Sequence, residues 1–151
     1  MKALSAFDIE TFLLKFPFLK HHCEGISLSS SKKDLQLKEG NFQFVLFTNN
    51  DHKVGHWNVV LLNNGVIEHF DPLGYDAEIH QPFFKKFRNN IAIVSNLSRY
   101  QKGHEPLCGH FSLFFIFHRI ISLYEDYIEV LEKYFSHNNL PKLVTDFYFH
   151  S

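Results

Sequence analysis

The chain has 151 residues, 45% of them apolar and 17% aromatic with 18 phenylalanines, and a formal net charge of -1 at pH 7. That length reads as a single domain, 1–151, able to bury about two-thirds of its unfolded surface. The near-neutral balance argues against tight DNA binding, and the longest apolar run, Leu113 to Phe117, falls far short of the ~20 residues a membrane span needs.

In chain order, Ser5 to Leu19 carries Phe7, Ile9, Phe12, Leu13 and Phe16 at helical spacing and predicts a short helix ending near Pro17. Asp8 and Glu10 interrupt this stretch, so it does not read as a secretion signal and an intracellular protein is expected. Cys23 lies in Lys-His-His-Cys-Glu-Gly, which lacks the four spaced ligands of a zinc site, so no metal is expected. With only Cys23 and Cys108 and a reducing compartment, no disulfide is expected either. Leu28 to Lys33 reads as a polar loop.

Strands are predicted over 42–48, 56–62 and 66–70, with Asn63-Asn64-Gly65 as a hairpin turn. A turn there brings residue 56 or 57 close to 71 or 72. Ala77 to Arg88 reads as a surface helix with Ile79, Phe83, Phe84 and Phe87 inward, and Ile91 to Val94 as a further strand feeding a loop at Gln101. After Cys108 the spacing of Phe111, Phe114, Phe115, Ile116, Ile120 and Ile121 predicts a buried helix, followed by packing helices over 125–135 and 140–149.

The order His56, Asp71, Gln101, Cys108 points to a cysteine nucleophile. Cys108 would begin the buried helix, facing unpaired N–H groups and the positive end of the helix dipole, which favour a nucleophilic sulfur. His56 would take and return the proton of the thiol, and Asp71 would fix the tautomer and ring plane of His56. The Gln101 amide and the Cys108 N–H would stabilise the oxyanion, a contribution of about 3 kcal/mol per donor in hydrolases. Gly109 would leave room for a peptide at the helix start. Taken singly, each residue has a plainer role: Phe-Asp-Pro-Leu-Gly is an ordinary turn, and a lone cysteine is a small apolar core residue. Trp57 is expected to pack in the core, and His104 and His110 to add polarity at the surface or cleft.

At Gly55-His56-Trp57, Phe70-Asp71-Pro72-Leu73-Gly74, Gln101 and Cys108-Gly109-His110-Phe111, the chain resembles the adenain-like cysteine proteases, the processing proteases of adenoviruses and related DNA viruses and virus-like elements. The resemblance covers roughly 42–120. It implies an α+β, Ulp1/adenain-like cysteine protease fold with a central mixed sheet flanked by helices. It also implies an endopeptidase that cleaves viral structural precursors during particle maturation, at small-residue, Gly-containing sites. The substrate would be a polypeptide, the protein a monomer, and its location the cytoplasm or nucleus of the host cell and the virion. Adenovirus proteases are more basic than this chain and take DNA and a peptide tethered through a second cysteine as activators. Here the only tight basic groupings are Lys32, Lys33, Lys85, Lys86 and Arg88, and no cysteine lies between Asp71 and Cys108. Neither a DNA nor a covalent peptide activator is therefore expected, and no cofactor. The alternatives are a Ulp1-like protease of ubiquitin-like modifiers, which usually places the glutamine six residues before the cysteine rather than seven, and a catalytically silent binding scaffold.

Overall fold

A computed structural model of the chain describes residues 2–30, 36–48, 55–75, 81–85, 87, 91–96, 98–102 and 105–151. Helix α1 spans Ala6–Leu14. Its start is fixed by a capping box in which the Ser5 hydroxyl accepts from the Asp8 N–H and the Asp8 carboxylate accepts from the Ser5 N–H. Pro17 does not merely end this helix. It opens a second, α2, at Pro17–His21, where the missing N–H costs nothing.

Five strands follow, β1 at Cys23–Leu28, β2 at Phe42–Thr48, β3 at Gly55–Asn63, β4 at Val66–Phe70 and β5 at Ile93–Ser95, in spatial order β1-β2-β3-β4-β5. The three central strands are antiparallel, while β1 runs parallel to β2 and β5 parallel to β4, so the sheet is mixed. The β3–β4 hairpin turns where the sequence requires it: Asn64 (φ 54°) and Gly65 (φ 75°) both occupy the left-handed region that a tight hairpin demands. Strand β1 departs from expectation. Its sequence, Cys-Glu-Gly-Ile-Ser-Leu, lacks a clean alternation and its pairing shifts register between Cys23 and Ile26. Of the helix expected over 77–88, the described residues show α3 at Gln81–Phe84; residues 76–80, 86 and 88 lie outside them.

Alternation along the strands sends side chains to two faces. Phe42 and Phe44 of β2 and Trp57, Val59 and Leu61 of β3 join the larger core, while Val45, Phe47, Val60 and Ile67 meet Phe83, Phe84 and Phe87 on the other face. The larger core is organised around α4, Cys108–Ile121, in which every residue from Cys108 to Ile116 is buried. Helices α5 (Tyr127–Phe135) and α6 (Leu140–His150) close over it, with Phe114 meeting Phe135 and Phe147 edge-on, each at 5.3 Å between ring centres.

One buried ion pair ties the sheet to α4. Arg119 donates to Glu68 through Nε at 2.6 Å and Nη2 at 2.9 Å, and its Nη1 donates to the Ser122 carbonyl at 2.7 Å. The fork geometry satisfies both charges where water does not reach. No helix among the described residues is long and apolar enough to cross a membrane.

Candidate active site

Strand β3 opens with Gly55, where a Cβ would stand 2.6 Å from Leu46 Cδ1, so any larger residue here would push the Leu46 side chain aside. His56 follows at once. Asp71 comes directly after β4, and because Val59 pairs with Phe70 the hairpin register delivers it to the start of β3. His56 Nε2 is hydrogen-bonded to Asp71 Oδ1. The Asp71 side chain is fully buried and that of His56 is 17% exposed, leaving one ring edge open.

Phe-Asp-Pro-Leu-Gly is both a turn and the seat of the acid. The Gly74 N–H donates to the Asp71 carbonyl at 2.9 Å, with Gly74 at φ 79°, while the Leu73 N–H donates to Asp71 Oδ1 at 2.8 Å. That main-chain bond aims the carboxylate. The same Oδ1 that faces His56 is held by the turn.

Cys108 is the first residue of α4, after Leu107, and no side chain caps the helix. The Cys108 Sγ accepts from the Trp57 N–H at 3.3 Å, so the residue next to His56 in β3 holds the sulfur beside the sheet. Burial opposes a charge on His56, but hydrogen bonds to Asp71 and Cys108 and electrostatic attraction to both outweigh it and raise the imidazole to about 9. Since Nε2 is taken by Asp71, Nδ1 is the ring nitrogen that serves Cys108. His56, Asp71 and Cys108 thus meet as the sequence order suggests.

Gln101 lies 4% exposed in the approach to α4, its N–H donating to the Pro72 carbonyl at 3.0 Å. Its side chain is turned into its own loop: Nε2 donates to the Glu105 carbonyl, and among the described residues Oε1 has no partner. Nε2 carries a second hydrogen, the one an oxyanion would use.

Two expectations need correction. The space over Gly109 is filled by the chain itself. A Cβ there would stand 3.0 Å from Leu4 Cβ and 3.2 Å from Trp57 Cδ1, so this glycine admits the chain's own N-terminal segment. His110 is not at the surface: it is 1% exposed against Tyr148, neither ring nitrogen has a hydrogen-bond partner among the described residues, and burial pushes it down to about 4. His104 lies outside the described residues. Trp57 is in the core as expected, with one addition that the sequence did not signal, since its Nε1 donates to the Leu4 carbonyl at 2.8 Å.

Beside Cys108 opens a cleft of about 520 Å³ walled by Ala3, Leu4, Ile26, Leu28, Leu46 and Trp57, and none of the described residues that line it is an acid or a base. No cluster of three or more metal-ligating side chains occurs among the described residues.

No family model matches this sequence, and no curated protein matches it. Solved structures do. Two crystal structures of ASFV pS273R protease, one of them of the selenomethionine protein, superpose with a TM-score of 0.59 over 98% of this chain, at 14% and 16% identity. The chain spans about two-thirds of theirs, 67% and 66%. At that identity the likeness is one of fold, and with the mixed sheet, the flanking helices and Cys108 at the head of a buried helix it identifies the architecture as the α+β, Ulp1-like protease fold.

Proposed function

We propose that this chain is a cysteine endopeptidase of the adenain-like kind, acting on viral structural precursor proteins. The observation that carries the reading is the continuous contact from Asp71 through His56 to Cys108 at the head of a buried helix. Supporting it is the fold shared with ASFV pS273R protease.

In this reading the Cys108 sulfur attacks the substrate carbonyl while His56 holds the thiol proton. The tetrahedral oxyanion receives hydrogen bonds from the Cys108 N–H, which as the first residue of α4 has no intrahelical acceptor, and from the second Nε2 hydrogen of Gln101. His56 then gives its proton to the departing amine, leaving a thioester on Cys108. Water, deprotonated by His56, attacks the thioester and returns the thiol. Asp71 keeps the ring oriented and stabilises the imidazolium throughout.

The apolar walls that Leu4, Ile26, Leu28, Leu46 and Trp57 give the cleft favour small and apolar residues next to the cleaved bond. A glycine at that bond would let the substrate backbone approach Cys108 most closely. We place the protein inside the host cell and in the virion, as a monomer.

The test is labelling by a thiol-directed probe in wild type, Cys108→Ala and His56→Ala from pH about 4 to about 9, read by intact mass, beside cleavage of a glycine-rich peptide library. Labelling at Cys108 that persists below the ~8.5 of a free thiol, depends on His56 and accompanies cleavage establishes the assignment. Ordinary thiol behaviour without cleavage would point to a binding scaffold. Cleavage confined to ubiquitin-like conjugates would transfer the protein to the deconjugating class.

A further inference from the structure

Beyond His56, Asp71, Gln101 and Cys108, one side chain holds two parts of the site at once. Asn96 follows β5 directly and is 1% exposed. Its Oδ1 accepts from the Asp71 N–H at 2.8 Å, and its Nδ2 donates to the Asp71 carbonyl at 2.7 Å and to the Ser98 carbonyl at 2.9 Å. The β4–β5 ladder ends with His69 opposite Ser95, and the Asn96 N–H makes a last, longer bond to the His69 carbonyl at 3.3 Å. One step further the two main chains no longer pair. There the Asn96 amide takes the place of a strand, meeting both the donor and the acceptor of Asp71.

This contact falls where position matters most. Asp71 has just left the sheet and enters the Asp-Pro-Leu-Gly turn, whose other end is stitched to the next loop by the Tyr100 and Gln101 N–H groups, both donating to the Pro72 carbonyl at 2.9 and 3.0 Å. The Asn96–Ser98 bond draws that same loop in. One amide therefore fixes the main chain under the Asp71 carboxylate and the start of the segment that carries Gln101.

We propose that Asn96 is the positioning residue of this site, setting where Asp71 meets His56 and, through Ser98, where Gln101 stands. The inference rests on the assignment of Asp71, His56 and Cys108 as the proton-transfer set. Aspartate does not replace Asn96: a carboxylate retains the acceptor for the Asp71 N–H but faces two carbonyl oxygens with no hydrogen to give, close to the Asp71 charge. Alanine gives up all three bonds.

The experiment follows His56 directly, by NMR titration of its ring in histidine-labelled protein, with His56→Gln identifying the resonance. Wild type, Asn96→Ala, Asn96→Asp and Val144→Ala are compared, the last lying in α6 away from Asp71. Each is also measured for the rate of Cys108 alkylation by iodoacetamide. In wild type the ring should titrate near 9. In both Asn96 variants the midpoint should fall by about one unit or more toward the 6.5 of a free imidazole, with alkylation at neutral pH slowed about ten-fold or more. Val144→Ala should lose stability with no shift in the midpoint. A folded Asn96 variant whose His56 still titrates as in wild type overturns the proposal. Should Asn96→Ala fail to fold, Asn96→Asp, close in shape, decides by the same readout. If wild-type His56 itself titrates near 6.5, the proton-transfer assignment fails first, and Asn96 falls with it.

Discussion

Two histidines stand within reach of the same helix start, and they are held in opposite states. His110 is the more deeply buried, its ring against Tyr148, and burial alone drives it down to about 4. His56 keeps 17% of its side chain exposed, yet it is raised to about 9, because hydrogen bonds and electrostatic attraction to Asp71 and Cys108 outweigh burial. Burial without a partner makes a neutral core ring, and burial with a carboxylate makes a base that keeps its proton. The chemistry proposed at Cys108 therefore depends on two strand ends meeting, not on the presence of a histidine nearby.

The largest way to break this difference is to remove the reacting groups. Cys108→Ala should abolish peptide cleavage, and His56→Ala should lower it by about 10⁴-fold or more, with the folded state retained in circular dichroism. Asp71→Asn comes next. It keeps the shape of the site but removes the charge, and kcat should fall by about 10²- to 10⁴-fold. The pH dependence should move with it. Wild-type His56 is protonated below about 9, so the ion-paired form of the site is lost as pH rises through that value, and in Asp71→Asn this limb should shift down toward 6.5. The same sign governs stability: the raised imidazole stabilises the fold fully below 6.5, and this contribution disappears as pH climbs to about 9. Thermal melts across that window measure it.

A second pair sharpens the comparison because it carries charge without chemistry. Glu68 and Arg119 are also buried, but their bidentate bond joins β4 to α4. Arg119→Met leaves Glu68 buried and unpaired, which should cost about 3–5 kcal/mol in denaturant unfolding while the alkaline limb stays in place.

His110 supplies the converse. Its imidazole is neutral in the fold, but the unfolded chain takes up a proton below 6.5, so stability should fall as pH drops from 6.5 to about 4. His118, also pushed down to about 4 by burial, acts in the same window. His110→Leu should recover about 1–2 kcal/mol at the acid end, since it removes both the titration and two unpartnered nitrogens, without moving the alkaline limb.

Much of the His56 half is legible from residue order because it depends on local rules. Asn64 and Gly65 force the turn, the turn fixes the register, and the register joins residues fifteen apart. The apolar spacing after Cys108 gives α4 for the same reason. What escapes the sequence depends on contacts with distant segments. Strand β1 lies at the sheet edge, placed by its parallel pairing with β2, and its own residues alternate poorly. The neighbour of Gly109 is Leu4, which no spacing rule connects to it, and the Gln101 amide is aimed by the Glu105 carbonyl in its own loop. His110 has helical spacing that predicts a face but not the absence of a partner. Asn96 leaves no trace in a motif, since what it reads is main chain.

Trp57 allows the finest cut, because it makes two contacts by two different means. Its main-chain N–H reaches Cys108 Sγ at 3.3 Å, a bond that any residue but proline can make here, while its indole Nε1 reaches the Leu4 carbonyl at 2.8 Å, a bond that needs the indole. Trp57→Phe therefore separates the hold on the sulfur from the hold on the N-terminal segment that walls the cleft. Losing the indole bond should cost about 1 kcal/mol of stability, and if only the cleft wall loosens, the rate of Cys108 alkylation should stay within about five-fold of wild type. The loss should appear instead in KM for peptides, since Leu4 and Ala3 line the space beside Cys108. A kcat reduced by about 100-fold with KM unchanged would mean that the indole, through the strand it anchors, sets the position of the sulfur itself.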